Sequence, residues 1–124
     1  MPHLQKINLR CEACGKESRD WESFVFRWEC DWRRKEFRGF GVRCNAPACF
    51  PKVLADGVIE GWHHAPHFLV PGALAGFLGH LLVMLEAGFA LTGAHRAALE
   101  RYLGTFLEEM AGKGVAGRKD GGAS

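Results

Sequence analysis

Cys11-Glu12-Ala13-Cys14 and Cys44-Asn45-Ala46-Pro47-Ala48-Cys49 are two cysteine pairs on short turns, with 29 residues between them. This is how a chain brings four sulfur ligands from distant segments around one metal ion. Thiolates are soft enough for Zn²⁺, and four of them fill a tetrahedral shell, leaving no position for a reacting water. The reading is one structural Zn²⁺ per chain held by Cys11, Cys14, Cys44 and Cys49; four thiolates would also accept iron. Ordinary reduced thiols or a disulfide pair are the competing readings of the same residues. Gly15 suits a tight turn needing positive φ after the first pair, and Pro47 stiffens the second loop.

At these residues the chain resembles the zinc-ribbon group, in which two Cys-turn-Cys knuckles at the ends of β-hairpins clamp one zinc. The resemblance covers about residues 5–50 and departs from the usual pattern in the second pair, which has four intervening residues where the group most often has two. It implies a small antiparallel sheet with a structural metal. It names no single biological role, because such ribbons serve many.

The totals bound what surrounds this segment. A chain of 124 residues has room for one core, and its 48% hydrophobic and 24% charged content is that of a globular protein. Five cysteines is an odd number, and the first residues hold no apolar run able to act as a secretory signal, so a reducing cytoplasm is expected. The net charge of +2 conceals an asymmetry: residues 1–52 carry 11 Lys+Arg against 7 Asp+Glu, and residues 53–124 carry 5 against 7. A four-thiolate zinc centre subtracts two charges from the first segment. That leaves it far less basic than nucleic-acid-binding domains usually are.

Residues 5–10 alternate polar and apolar, which predicts a strand delivering Cys11 to the metal, and residues 16–20 read as a polar turn. From 24 to 32 the even positions are Phe24, Phe26, Trp28, Cys30 and Trp32, and the odd ones from Arg27 onward are charged. This period of two marks a strand with one apolar and one charged face. Residues 33–36 are a charged reversal, and 37–43 return as the partner strand, with Gly39 and Gly41 suggesting a bulge or close packing. The aromatic face reads as core awaiting cover by the helices that follow, with a base-stacking platform as the alternative. Cys30 on that face reads as a buried, unreactive thiol.

Beyond a short strand at 58–60 lies Trp62-His63-His64-Ala65-Pro66-His67, three histidines in five residues. Pro66 excludes a regular helix there, so exposed loop histidines are the default expectation and a second metal the alternative. Residues 68–91 are nearly uncharged, with Pro71 suited to a helix's first turn. The uncharged part of that helix before Glu86 is only about 22 Å long, against a hydrocarbon core of ~30 Å, so membrane insertion is not expected. In the soluble arrangement Gly72, Ala75, Gly76 and Gly79 mark close approach of another element, surplus apolar surface meets a second copy, and Thr92-Gly93 ends the helix. Residues 94–110 form an amphipathic helix with Leu99, Tyr102, Leu103, Phe106, Leu107 and Met110 in one stripe and Glu109 outside it. This helix is expected antiparallel on the first.

The expected fold is therefore α+β: a small zinc-ribbon-like antiparallel sheet over 1–52, a connection and two-helix hairpin over 53–112 packing on it or on a second subunit, and a disordered tail over 113–124. The expected function is a non-enzymatic interaction module, a small regulator or inhibitor docking on a larger protein or nucleoprotein assembly, with a homodimer through the 71–91 helix as a further expectation. Arg33, Arg34, Lys35, Arg38 and Arg43 form the candidate contact patch, for protein or, alternatively, for nucleic acid. The enzyme alternative uses Cys30 as nucleophile or a metal on His63, His64 and His67, and neither comes with an identifiable base or oxyanion donor.

Overall fold

The computed structural model describes residues 4–50 and 54–120, with side chains as far as residue 112. Among the described residues five strands precede two helices: β1 (Leu4–Arg10), β2 (Glu17–Asp20), β3 (Phe24–Asp31), β4 (Glu36–Cys44), β5 (Val58–His64), α1 (Pro71–Glu86) and α2 (Gly93–Asp120). Single 3-10 turns at Trp21–Ser23 and Ala65–Leu69 lead into β3 and α1. β1 and β2 form an antiparallel hairpin, and the other strands form an antiparallel sheet in the order β4-β3-β5. This is the α+β architecture the sequence implies.

β3 is central, and all eight of its residues are buried. Its even side chains build the core, with Phe26 as hub: its ring lies 5.1 Å from Phe68, 5.8 Å from Phe77 of α1, and 5.2 and 5.3 Å from Tyr102 and Phe106 of α2. Edge-to-face pairs of this kind add to simple area burial. The aromatic face is thus covered by both helices, as expected of core. Trp32 falls outside the strand and stays about half exposed, edge-on to Phe89 at 4.9 Å.

The odd face of β3 differs from a solvated charged face. Arg27 is 2% exposed and ion-paired to Glu12, Glu29 and Glu60, so the charges are buried by pairing with one another. Both glycines of β4 answer to the reasons the sequence suggests. Cys30 pairs with Phe37 and Glu29 with Gly39, leaving Arg38 as the extra residue of a bulge. At Gly41 the carboxylate of Glu12 occupies the space where a side chain would begin, so no larger residue fits without displacing it.

Several local expectations are corrected. The expected polar turn at 16–20 contains β2, because a four-residue strand pairing at its ends with β1 closes the first knuckle as a hairpin. β5 extends through His64 instead of stopping at 60. α1 ends at Glu86, not at Thr92: Gly88 takes φ +96, the N–H of Phe89 reaches back to the Met84 carbonyl (3.1 Å), and Ala90 bonds to the start of β4. On α1 only Leu74, Phe77, Leu81 and Met84 are buried. No neighbouring atom lies within 4 Å of a Cβ built at Gly72, Gly76 or Gly79, and Ala75 is exposed, so within this chain the small residues face outward.

On α2, Leu107 and Glu109 exchange their expected places. Leu107 is 56% exposed, whereas Glu109 is 2% exposed and accepts the backbone N–H groups of Lys6 (3.0 Å) and Ile7 (2.9 Å). These N–H groups lie where the β1–β2 register breaks between Leu4 and Leu9, so the carboxylate satisfies donors the hairpin leaves open. Both helices lie against the sheet side of the molecule, α2 chiefly on β4 and β1. α2 continues beyond the expected end at 110 to Asp120, so the helix runs on through Gly112, Gly114 and Gly117, each of which weakens it by about 1 kcal/mol; residues 121–124 of the expected tail lie outside the described residues.

Candidate metal centre

The first knuckle is the turn of the β1–β2 hairpin. Cys11 sits at its start, 1% exposed, with Cys11 N–H bonded to the Lys16 carbonyl and Gly15 N–H to the Cys11 carbonyl, both at 2.9 Å. Gly15 adopts φ +80, the conformation the sequence reserves for it. The second knuckle follows β4: Cys44 ends the strand, and the four-residue spacer closes on itself through the Ala46 carbonyl, which accepts from Cys49 N–H (3.0 Å) and Phe50 N–H (2.8 Å). A bond from Glu12 N–H to the Val42 carbonyl (2.9 Å) ties the two knuckles together.

The sulfurs of Cys11, Cys14, Cys44 and Cys49 all lie within 4.8 Å of one another, and these four residues could hold a metal ion. None is in a disulfide. Cys14 Sγ and Cys44 Sγ are 3.6 Å apart, far beyond the ~2.05 Å of an S–S bond and close to the ~3.8 Å that a tetrahedral ion with ~2.3 Å metal–sulfur bonds imposes on its ligands. Cys11 Sγ accepts N–H bonds from Ala13 (3.3 Å), Cys14 (3.4 Å) and Cys44 (3.3 Å), the pattern of a sulfur carrying negative charge.

The electrostatics agree with that geometry. Burial pushes the Cys11 thiol up, but the N–H donors of Cys14, Cys44 and Ala13 outweigh it and bring it down to about 6. Burial, then the neighbouring Cys14 and Cys11, pushes Cys44 up to about 12, and Cys49 moves in the same direction for the same reasons. One thiolate in the cluster thus opposes the next. A cation among them removes that opposition, so binding would release protons.

Glu12, between the first two cysteines, lies over Gly41 and pairs with Arg27 and with Arg43 (Nε–Oε1 3.0 Å). Arg43 also donates to the Cys49 carbonyl at 2.9 Å. Arg43, an expected partner contact, is therefore bonded to both knuckles. Arg38 of that patch lies at the bulge of β4, and Arg33, Arg34 and Lys35 sit at the β3–β4 turn, where Asp31 Oδ1 accepts from Arg33 N–H and Arg34 N–H, both at 3.0 Å. Arg33 pairs with Asp56 at 2.9 Å, Arg38 pairs with Asp31 at 3.5 Å, and Arg34 and Lys35 are exposed, Lys35 with φ +52.

Cys30 is 4% exposed, and burial pushes its thiol up to about 11, opposite to the shift that activates a nucleophile. The histidines divide by face. His64 points with Trp62 away from the helices, its Nδ1 3.5 Å from Asn45 Nδ2. His63 and His67 stack at 4.5 Å on the other side, beside Trp28. Burial, then His67 and His64, lowers the pKa of His63. A third residue, His80 of α1, lines the same cavity of about 410 Å³ as His63 and His67, with Trp28, Ala73, Gly76 and Phe77. Sequence proximity could not nominate His80, which lies 13 positions beyond His67. It missed Glu109 as well, for which the only signal was one acidic residue flanking an apolar stripe.

The chain matches no family model, and no curated protein and no solved structure is similar to it. The reading of the centre therefore stands on its own geometry. Among the described residues no helix is long and apolar enough to cross a membrane.

Proposed function

We propose that this protein is a non-enzymatic interaction module whose sheet is stapled by one Zn²⁺ on Cys11, Cys14, Cys44 and Cys49, and which docks as a small regulator on a larger protein. The metal in this reading supplies a cross-link and no chemistry, because four thiolates complete its shell. Zinc is favoured over iron because the cluster needs no redox role and Zn²⁺ suits an all-thiolate tetrahedron.

The observation that carries the docking reading is the outer face of α1. Leu78, Leu82, Val83 and Leu85 are exposed there, Val83 to 64%, and Ile59 of β5 is exposed to 57%. Such a concentration of aliphatic side chains on one helix is what a protein interface covers. Either a partner protein or a second copy supplies the cover, and the reducing cytoplasm is the compartment where four free thiolates persist. Nucleic-acid binding through the β3–β4 turn is the weaker reading. Arg33, Arg38 and Arg43 are already paired with Asp56, Asp31 and Glu12.

Capture experiments at low and high salt separate the two. With Leu82→Glu and Val83→Glu compared to Arg34→Glu and Lys35→Glu, the proposal expects complexes that survive high salt and are lost only with the α1 variants. Binding that collapses with salt and depends on Arg34 and Lys35 would instead establish phosphate recognition and refute it.

A further inference from the structure

The cavity between β5 and α1 is built from groups that suit a second kind of ligand. His63 at the end of β5, His67 in the turn that follows and His80 in the third turn of α1 all face into it, against a floor of Trp28 and Phe77. Two small residues, Ala73 and Gly76, keep the α1 wall open. Nothing approaches Gly76 within 4 Å of a notional Cβ.

The three imidazoles bring donor nitrogens to this cavity that the fold itself leaves unused. Among the described residues none of the three has a hydrogen-bond or ion-pair partner, so no protein group occupies their nitrogens. Among the described residues the lining includes no carboxylate, lysine or arginine. It is not a solvated charged surface, and it lacks the acidic residue that would orient a catalytic histidine. A set of nitrogen donors without oxygen or sulfur competitors selects borderline divalent transition ions over Ca²⁺ or Mg²⁺.

We propose that His63, His67 and His80 form a second, exchangeable site for a divalent transition-metal ion, with His64 excluded from it. Among the described residues the cysteine sulfurs are the one group of three or more such ligands already gathered to hold an ion, so the imidazole nitrogens of His63, His67 and His80 are not preassembled. His63 and His67 lie nearly parallel, with 22° between their planes, so their ring nitrogens must turn to converge. All three side chains are exposed and have room to do so. A site that assembles on binding, with three ligands and an open remainder to its shell, exchanges its ion more readily than four preformed thiolates. The proposal concerns residues outside the sulfur cluster, and the stoichiometry of its test rests on the proposed function, in which that cluster holds the first ion.

His64 supplies an internal control, because strand alternation places it on the opposite face from its neighbour His63. Zn²⁺ is titrated calorimetrically into full-length protein that already carries one equivalent, and circular dichroism checks that each variant is folded. The native protein is expected to take up a second equivalent. His80→Ala, His63→Ala and His67→Ala should each weaken it at least about tenfold, whereas His64→Ala should leave it within about twofold. His80→Gln, which keeps a polar side chain of similar reach, should behave like His80→Ala. Absence of a second equivalent overturns the proposal. So does one that survives His80→Ala or falls equally with His64→Ala.

Discussion

Replacing Cys14 by alanine tests the metal centre more sharply than replacing any other ligand, because Cys14 is the exposed member of the four. If the cluster were only four thiols, truncating an exposed side chain at a turn would change stability by no more than about 0.5 kcal/mol. As one of four ligands it carries far more. Structural zinc contributes roughly 10–16 kcal/mol to folding of small zinc-finger peptides, and loss of even a quarter of that is about 3 kcal/mol or more. For a domain with total stability of roughly 5–15 kcal/mol this is a large share, corresponding to a melting temperature lower by about 10 °C or more. The assay is calorimetric melting with and without chelator, alongside elemental analysis of the purified protein. Native protein should contain one metal per chain and melt lower with chelator, while Cys14→Ala should lose metal and respond little to chelator. Cys30→Ala serves as the control. It removes a buried thiol outside the cluster, so it should lower stability while leaving metal content and chelator response intact. A Cys14→Ala protein that melts with the native one, from native protein free of metal, would refute the reading of the centre.

Other expectations rest on the buried charges. Arg27→Ala takes from Glu60 the buried guanidinium it is paired with and should lower stability by about 3–5 kcal/mol in urea unfolding; a loss under about 1 kcal/mol would show that the pair contributes little. Glu109→Ala strands the Lys6 and Ile7 N–H groups and should cost about 2–4 kcal/mol, with faster amide hydrogen exchange confined to β1 as the distinguishing sign. The N–H groups of Arg34 and Arg33, with the charges of Arg34 and Arg38, hold the Asp31 carboxyl below its ordinary value against the opposing effect of burial. A depressed folded pKa means that this stabilisation is present above the unfolded value near ~3.9 and disappears as pH falls through the folded one. Unfolding measured from about pH 6 to about pH 2 should therefore show a shallower acid-side decline for Asp31→Asn than for the native protein.

Local spacing along the chain was enough to bring out the four cysteines that cluster, the positive φ at Gly15, the alternation of β3 and the need for a bulge or close approach at the two glycines of β4. Each of these depends on residues a few positions apart, where the period of a strand or the geometry of a turn leaves little choice. The α+β class followed from the same patterns. Only the tertiary structure decided the rest. Whether a charged strand face meets water or other charges depends on what lies opposite, and for Arg27 that is Glu12 of the knuckle and Glu60 of β5. Glu109 reads as solvent-facing in its own helix and becomes a buried anchor because β1 presents two open N–H groups to it. A uniformly apolar helix such as α1 carries no periodic signal to say which side is buried, so the outward placement of Gly72, Gly76 and Gly79 had to come from packing. The histidine grouping exchanges a sequence neighbour, His64, for a distant residue, His80, because adjacent strand residues point apart while a helix folded back over the sheet brings remote ones together.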